Sequence, residues 1–281
     1  MPLWQVVVLA VVQGVTEFLP ISSTAHLALV PWLFHWNDPG LSFDVALHVG
    51  TLVAVLLFFY KTWVDLLLLG LGRKPFFATS PAGAPNSSQM NLNHNRLLFW
   101  FLVIGTIPAG LAGWVFHDLA ATSWRHPVVI GSALILVAIP MAWGERVSRY
   151  QKDLPQVSFT DSLIIGICQA LALVPGVSRS GITMTAALFR DFRREAAARF
   201  SFLLSTPIIA GAALNEFLNL RQEDMPPEMR VPFLVGIIVS AVVGYAAIAL
   251  LLKYLQYGTF KIFVYYRVIF GIIVLALAFF V

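Results

Sequence analysis

The sequence predicts an all-α integral membrane protein with six transmembrane helices and two re-entrant helical hairpins arranged as an inverted repeat. Three observations predict this fold. Of the 281 residues, 59% are hydrophobic and 11% are charged, whereas a soluble domain carries about 25% charged residues. Six apolar stretches reach the length of about 20 residues that a membrane-spanning helix needs. Two further apolar regions are each interrupted by proline, serines and ionisable residues.

The composition also excludes several classes of protein. A chain with so few charges is not an ordinary cytoplasmic enzyme, a nucleic-acid-binding protein or a disordered protein. The single cysteine, Cys168, excludes a disulfide framework and a CxxC metal site. We therefore expect one polytopic membrane domain over residues 1–281.

The elements are justified in chain order by hydropathy and by helix-breaking residues. The first interrupted region, 4–36, is not a signal peptide, because it lacks a basic N-terminal part and carries Glu17. The segment 74–96 is rich in Pro, Ser and Asn, which predicts a flexible loop. The second interrupted region covers 162–189. The six full spans are expected at 43–61, 97–116, 128–143, 200–218, 232–252 and 262–281.

The basic residues between these segments predict the topology. If each interrupted region leaves the membrane on the side from which it entered, the side that holds both termini carries three Lys or Arg residues. The other side carries thirteen, and the positive-inside rule makes that side cytoplasmic. Both termini then face outward, so region 4–36 opens to the outside and region 162–189 to the inside.

A weak internal similarity supports a duplicated unit. Shifting the second region by 156 positions places Gln13 on Gln169, Ser22 on Ser178 and Thr24 on Ser180. Two broken elements of opposite orientation are typical of an inverted repeat. The first repeat is expected over about 1–143 and the second over about 162–281.

Each interrupted region carries a charge that lipid does not tolerate. Glu17 or Arg179 at mid-bilayer would cost about 2.5–3.5 kcal/mol, so both are expected to face protein or a water-filled cavity. Proline breaks both helices. The serines that follow are suited to cap new helices, one beginning near Ser22 or Ser23 and the other near Ser178 or Ser180. Two helix N-termini brought together inside the membrane form an anion site.

The residue types around the breaks indicate a phosphorylated substrate. The guanidinium of Arg179 matches two phosphate oxygens at once, and hydroxyl groups add further donors. The expected substrate-binding residues are Ser22, Thr24, Ser178, Ser180 and Thr183.

The first break supplies groups suited to catalysis. Gln13 and Glu17 are four residues apart on one helix face, where their oxygens suit a hard divalent cation, Mg²⁺ or alternatively Ca²⁺. Ser23 and His26 are three residues apart on the outgoing helix, so a nucleophile and its base can approach one another. A metal ion on the phosphates, an arginine and an activated hydroxyl are the usual parts of phosphoryl transfer.

These motifs closely resemble those of the undecaprenyl-diphosphate phosphatase family, also called bacitracin-resistance proteins. The resemblance rests on Gln13-x-x-x-Glu17 followed by residues 18–26, and on residues 175–183, and it covers essentially the whole chain. It implies an enzyme of the bacterial cytoplasmic membrane that removes the terminal phosphate from a C55 isoprenyl diphosphate. That reaction recycles the lipid carrier for peptidoglycan synthesis and gives resistance to bacitracin.

The resemblance also implies roles for single residues. Glu17 becomes the metal-binding or catalytic carboxylate, and Arg179 the cation that binds phosphate. Ser23 becomes the nucleophile with His26 as base or proton donor, although attack by His26 or by water stays open. Gln13 is the amide variant of a position that is acidic or Gln in the family, which leaves one carboxylate instead of two. Ala25 stands where the family commonly has Gly.

Simpler structural roles are the alternatives. Glu17 and Arg179 could form only an ion pair, and the hydroxyl groups could bond only neighbouring turns or helices. His48 is expected to bond a neighbouring helix, and Arg267 to extend to the cytoplasmic surface. For the whole chain, the alternatives are an inverted-repeat lipid-phosphate transporter or flippase and a scaffold for cell-wall assembly. The expected partners are the isoprenyl diphosphate and membrane lipids but no nucleic acid, with a homodimer left open.

Overall fold

A computed structural model describes residues 1–37, 40–77, 95–116, 119, 123–220 and 227–280. Within these ranges the chain is helical, and its extended residues pair in one isolated bridge between Lys152 and Phe192. The predicted all-α class is therefore confirmed. The described α-helices, numbered in chain order, are α1 (Leu3–Thr16), α2 (Ser23–Leu33), α3 (Leu41–Phe58), α4 (Tyr60–Gly70), α5 (Leu98–Val115), α6 (Pro127–Val147), α7 (Phe159–Ala170), α8 (Arg179–Phe189), α9 (Arg194–Leu220), α10 (Pro227–Leu255) and α11 (Lys261–Phe280).

Five helices are long and apolar enough to cross a membrane, namely α5, α6, α9, α10 and α11. Each of them corresponds to one of the predicted spans. Two begin well before the apolar stretch, since α9 starts at Arg194 and α10 at Pro227. Hydropathy marks the part of a helix that lipid can surround, and the polar ends continue the same helix beyond it.

The predicted span 43–61 is not one straight helix. It corresponds to α3 and α4, which meet at Phe59 with a bend of 76°. The bend lies just before Lys61, the first charged residue after the apolar run. Taken as a pair, α3 and α4 are apolar and long enough for one span. The described part of the chain then has up to six membrane spans. The sequence did not predict α4.

Both interrupted regions contain the predicted helix breaks. In the first, α1 ends at Thr16 and α2 begins at Ser23. In the second, α7 ends at Ala170, a 3₁₀ turn covers Leu171–Leu173, and α8 begins at Arg179. Of the predicted loop 74–96, residues 78–94 lie outside the described residues.

Helix pairs approach closely where the chain has glycine. The main neighbours are α3 with α10, α6 with α11, α1 with α10, and α5 with α7. Between α5 and α7, a Cβ atom on Gly166 would lie 2.1 Å from the carbonyl oxygen of Gly105, so only glycine permits this approach. The hydroxyl of Ser162 donates a hydrogen bond to the carbonyl of Phe101 across the same contact. Backbone therefore packs directly on backbone here.

Large apolar side chains also lie on the outer surface of the bundle. Trp114, Leu136 and Leu250 are each more than half exposed, which suits a protein whose surroundings are lipid. The polar residues of the two breaks are buried instead, so the candidate site lies inside the helix bundle.

Candidate active site

Two serines of matching geometry begin the helices that follow the breaks. Ser22 is the N-cap of α2 and accepts a hydrogen bond from the backbone N–H of Ala25 at 3.4 Å. Ser178 is the N-cap of α8 and accepts one from the backbone N–H of Gly181 at 3.1 Å. Both serines have left-handed backbone, with φ of 75° and 70°, which an L-residue seldom adopts. The helix starts predicted at these serines are confirmed.

The two breaks touch one another. The hydroxyl of Ser180 donates to the carbonyl of Leu19 at 3.0 Å, and the guanidinium of Arg179 bonds the carboxylate of Glu17. Residues that are 162 positions apart in the chain thus form an ion pair, in which Glu17 is buried and Arg179 is partly buried. The contact is the ion pair that sequence reasoning kept as an alternative, and it also brings the two charges close enough to meet one ligand.

The carboxylate of Glu17 is the centre of a polar cluster. Its Oε2 atom accepts hydrogen bonds from Ser23 Oγ at 2.5 Å and from Gln13 Nε2 at 3.0 Å. Nε2 of His48 lies 3.4 Å from the same oxygen. Glu17 is 5% exposed, so a buried carboxylate is stabilised by a cation and by several donors.

Ser23 has a different partner from the one predicted. Its hydroxyl donates to Glu17, whereas Nδ1 of His26 contacts the carbonyl of Ser22 at 2.7 Å and Nε2 contacts the hydroxyl of Tyr266 at 2.6 Å. The imidazole also stacks on Phe270, with ring centroids 4.6 Å apart. Residues three apart on a helix share a face, but the side-chain rotamers decide where they point. The carboxylate, not the imidazole, is placed to take the proton of Ser23.

The remaining predicted hydroxyls mostly bond the protein itself. Ser22 and Thr24 contact each other at 3.1 Å, as Ser178 and Ser180 do at 3.2 Å. Thr183 donates to the carbonyl of Arg179 at 2.7 Å and contacts Ser201 Oγ at 2.6 Å. Thr183 thus lies behind the break within α8 and packs against α9.

His48 is a member of this cluster, although the sequence analysis expected it only to bond a neighbouring helix. The signal was present, because an ionisable residue within an apolar span marks a functional position by default. The sequence does not show which helix α3 faces, so the partner Glu17 could not be named.

Arg267 is buried at the junction of the two breaks and does not extend to the surface as expected. It is 0% exposed, and the acceptors of its guanidinium among the described residues are backbone carbonyls. Its acceptors are the carbonyls of Pro20, Ala133, Leu134, Gly176 and Val177, at 2.9–3.4 Å. The break carbonyls lack helical partners and therefore hold the side chain inside the bundle.

The donor set near Glu17 suits a hard cation only in part. In the described part of the chain, no three His, Cys, Asp or Glu residues gather as a metal-binding group. However, among the described residues Oε1 of Gln13 is buried without a hydrogen-bond partner, and Nε2 of the same side chain donates to the Glu17 carboxylate. An amide oxygen and one carboxylate fit Mg²⁺, which commonly takes one or two protein carboxylates and completes its shell with substrate phosphates and water.

An apolar groove of about 310 Å³ lies along α2 and the start of α6. Its walls include Ala28, Leu29, Trp32 and Ile130. These residues belong to the same apolar cluster as Phe270, the ring on which His26 stacks. Apolar side chains therefore connect the groove with the ring that packs on His26.

Comparisons with known proteins find relatives that match nearly the whole chain. The family model described as "Bacitracin resistance protein BacA" matches residues 6–273. The chain is 46% identical over 277 residues to an undecaprenyl-diphosphatase of Moorella thermoacetica, with 98% of each chain covered. It is 43% identical to one of Pelotomaculum thermopropionicum, covering 99% of this chain and 97% of the relative. For one of Desulforudis audaxviator the identity is 45%, covering 97% and 96%. The chain belongs to the bacitracin resistance protein BacA family.

Proposed function

We propose that this membrane protein hydrolyses undecaprenyl diphosphate to undecaprenyl phosphate and inorganic phosphate. The observation that carries the proposal is the hydrogen bond of 2.5 Å from Ser23 Oγ to Glu17 Oε2, beside Arg179. A nucleophile, a base and a phosphate-binding cation meet there in one buried cluster. Relatives named undecaprenyl-diphosphatase, at 41–46% identity over nearly the whole chain, support the same reaction.

In the first step Ser23 acts as the nucleophile. Its Oγ gives a proton to Glu17 and forms a bond to the terminal phosphorus. The bond from that phosphorus to the bridging oxygen breaks, and undecaprenyl phosphate leaves with the electron pair. The proton on Glu17 passes to the departing phosphate or to water, which restores the carboxylate.

In the second step water hydrolyses the phosphoserine. Glu17 takes a proton from the attacking water and returns it to Ser23 Oγ as inorganic phosphate leaves. Arg179 exchanges its contact with Glu17 for one with the phosphate oxygens, where its fork of donors stabilises negative charge in both transition states. The N-termini of α2 and α8 add positive dipole ends.

Gln13 and Glu17 would hold Mg²⁺ through their side-chain oxygens. The bound ion would neutralise charge on the phosphate oxygens of the substrate. The unpartnered Oε1 atom of Gln13 supports this assignment.

The proposed function also includes the membrane topology that the sequence predicts. We place both termini and the opening of the site on the outer side of the bacterial cytoplasmic membrane, with regions 4–36 and 162–189 as re-entrant hairpins of an inverted repeat. The matching N-cap geometry of Ser22 and Ser178 supports a duplicated unit. The groove that includes Trp32 would take the first isoprene units of the lipid chain.

The test measures phosphate release from undecaprenyl diphosphate by purified protein and by three variants. We expect Ser23→Ala to reduce kcat by about 10³-fold or more, and Arg179→Ala by about 10²-fold or more. Arg193→Ala removes an arginine that is 61% exposed and serves as the matched control with unchanged rate. Unaltered release by Ser23→Ala and Arg179→Ala would overturn the proposal.

A trapping experiment distinguishes the nucleophiles. After an acid quench of the reaction, mass spectrometry should find phosphate on the peptide that contains Ser23 and on the serine itself. Phosphate on His26, or no covalent adduct together with uptake of one labelled water oxygen in a single step, would contradict the serine mechanism. Lipid transfer across proteoliposomes without phosphate release would favour a transporter instead.

A further inference from the structure

His48 reaches the polar cluster from a third helix. It lies on α3, and its Nε2 atom is 3.4 Å from Glu17 Oε2, the oxygen that also accepts the hydrogen bond of Ser23. Its side chain is 23% exposed, whereas that of Glu17 is 4% exposed. His48 therefore borders the cluster on the side of α3. It is the only basic residue within α3 (Leu41–Phe58), all of which the structure describes.

The orientation of the imidazole is fixed from behind. Nδ1 of His48 contacts the backbone carbonyl of Asp44 at 2.7 Å, one turn earlier on the same helix. A carbonyl oxygen only accepts, so Nδ1 carries hydrogen and Nε2 is the atom presented to Glu17. The ring therefore lies between two acceptors, the carbonyl of Asp44 and the carboxylate of Glu17. Asp44 is itself anchored by a salt bridge of 2.6 Å to Arg125.

The contact becomes important when substrate binds. In the structure, Arg179 holds the Oε1 side of the Glu17 carboxylate. In the proposed reaction Arg179 turns to the phosphate, and the carboxylate loses its strongest partner. His48 and Gln13 then remain to keep Oε2 directed at Ser23, and of these two only His48 holds the carboxylate from a different helix.

We propose that His48 is a positioning residue that holds the Glu17 carboxylate in the orientation that accepts the proton of Ser23. The inference rests on the proposed function of Glu17 as the base. It acts through a donor placed against Oε2, so it affects the rate of the chemical step more than the affinity for lipid. Supporting groups of this kind typically contribute about 10–100-fold to activity.

The test compares His48→Ala with His48→Gln in steady-state phosphate release from undecaprenyl diphosphate. We expect His48→Ala to lower kcat by about 10–100-fold with KM within about twofold of the wild type. Glutamine places an amide N–H near the position of Nε2, so His48→Gln should recover most of kcat. His35→Asn, which changes an exposed histidine outside the cluster, is the control and should leave both constants unchanged.

Three results would overturn the inference. The first is an unchanged kcat in His48→Ala, and the second is a raised KM with kcat preserved, which would make His48 a substrate ligand. The third is a His48→Gln variant as slow as His48→Ala, since the donor would then not matter. Thermal unfolding of each variant, followed by labelling of Cys168, separates these results from misfolding. If the proposed function itself fails, wild type and Ser23→Ala release phosphate at the same rate, whereas failure of this inference alone leaves Ser23→Ala inactive.

Discussion

Replacing Arg267 by methionine should destabilise the protein and abolish the active site together. Three of the carbonyls that accept from Arg267 belong to the breaks: Pro20, Gly176 and Val177. The other two lie inside α6 and also belong to its helical hydrogen-bond ladder. Methionine fills a similar volume but donates nothing, so the break carbonyls remain buried and unpaired.

The size of the effect follows from those three acceptors. Leaving a buried polar group unsatisfied costs about 1–3 kcal/mol, so three of them cost about 3–9 kcal/mol. Part of this is offset because the buried guanidinium no longer has to be desolvated. We expect a net loss of about 3–5 kcal/mol, the range found when one partner of a buried charged contact is removed. At about 2–4 °C per kcal/mol, the melting temperature should fall by about 10 °C.

The single cysteine provides the assay. A thiol-reactive fluorogenic dye reports exposure of Cys168 as the detergent-solubilised protein is heated, and phosphate release is measured in parallel. Arg193→Met is the matched control, because Arg193 is exposed and pairs with Asp153 at the surface. The reasoning is refuted if Arg267→Met melts within about 2 °C of the wild type and retains its activity.

Three further predictions concern pH, metal and the lipid chain. Burial, together with the carboxylate of Glu145, raises the pKa of Tyr150 to about 12. The contribution of its protonated hydroxyl to the free energy of unfolding is therefore complete below about pH 10 and is lost as the pH rises towards about 12. The melting temperatures of the wild type and Tyr150→Phe should converge over that interval. A constant difference between the two melting temperatures would contradict this. Gln13→Glu adds a second carboxylate, so the Mg²⁺ concentration for half-maximal phosphate release should fall by about tenfold; an unchanged midpoint would argue against a metal at Gln13. Trp32→Ala should raise KM for undecaprenyl diphosphate by about tenfold but leave that for inorganic diphosphate, which has no lipid chain, unaltered, and equal effects on both substrates would exclude a tail site in the groove.

The helix breaks could be predicted because local chemistry determines them. Proline removes a backbone donor, and the serines that follow supply caps, so the sequence indicated helix starts near Ser22 or Ser23 and near Ser178 or Ser180. The helices α2 and α8 begin at Ser23 and Arg179. Desolvation also required Glu17 and Arg179 to avoid lipid, which led to the expectation that they serve one site. These inferences need only neighbouring residues and the cost of burying charge.

The remaining features depend on packing between distant helices. Ser23 and His26 share a helix face, but the aromatic rings of α11 hold His26 away, and nothing near His26 in the sequence indicates this. The same applies to Arg267, whose carbonyl partners come from three separate parts of the chain. The bend at Phe59 has no proline or glycine beside it, so hydropathy alone predicted one straight span.

The contact between Gly105 and Gly166 limits how the protein can move. A carrier that shows its site alternately to the two faces of a membrane swings one bundle of helices against another. Here a helix from each proposed half lies against the other without an intervening side chain, and Ser162 joins them by a hydrogen bond. This contact opposes a sliding movement of α5 against α7, because the backbone atoms of the two helices already touch. An alternating-access motion that needs such a shift is therefore disfavoured, and the lipid has to reach the site without it.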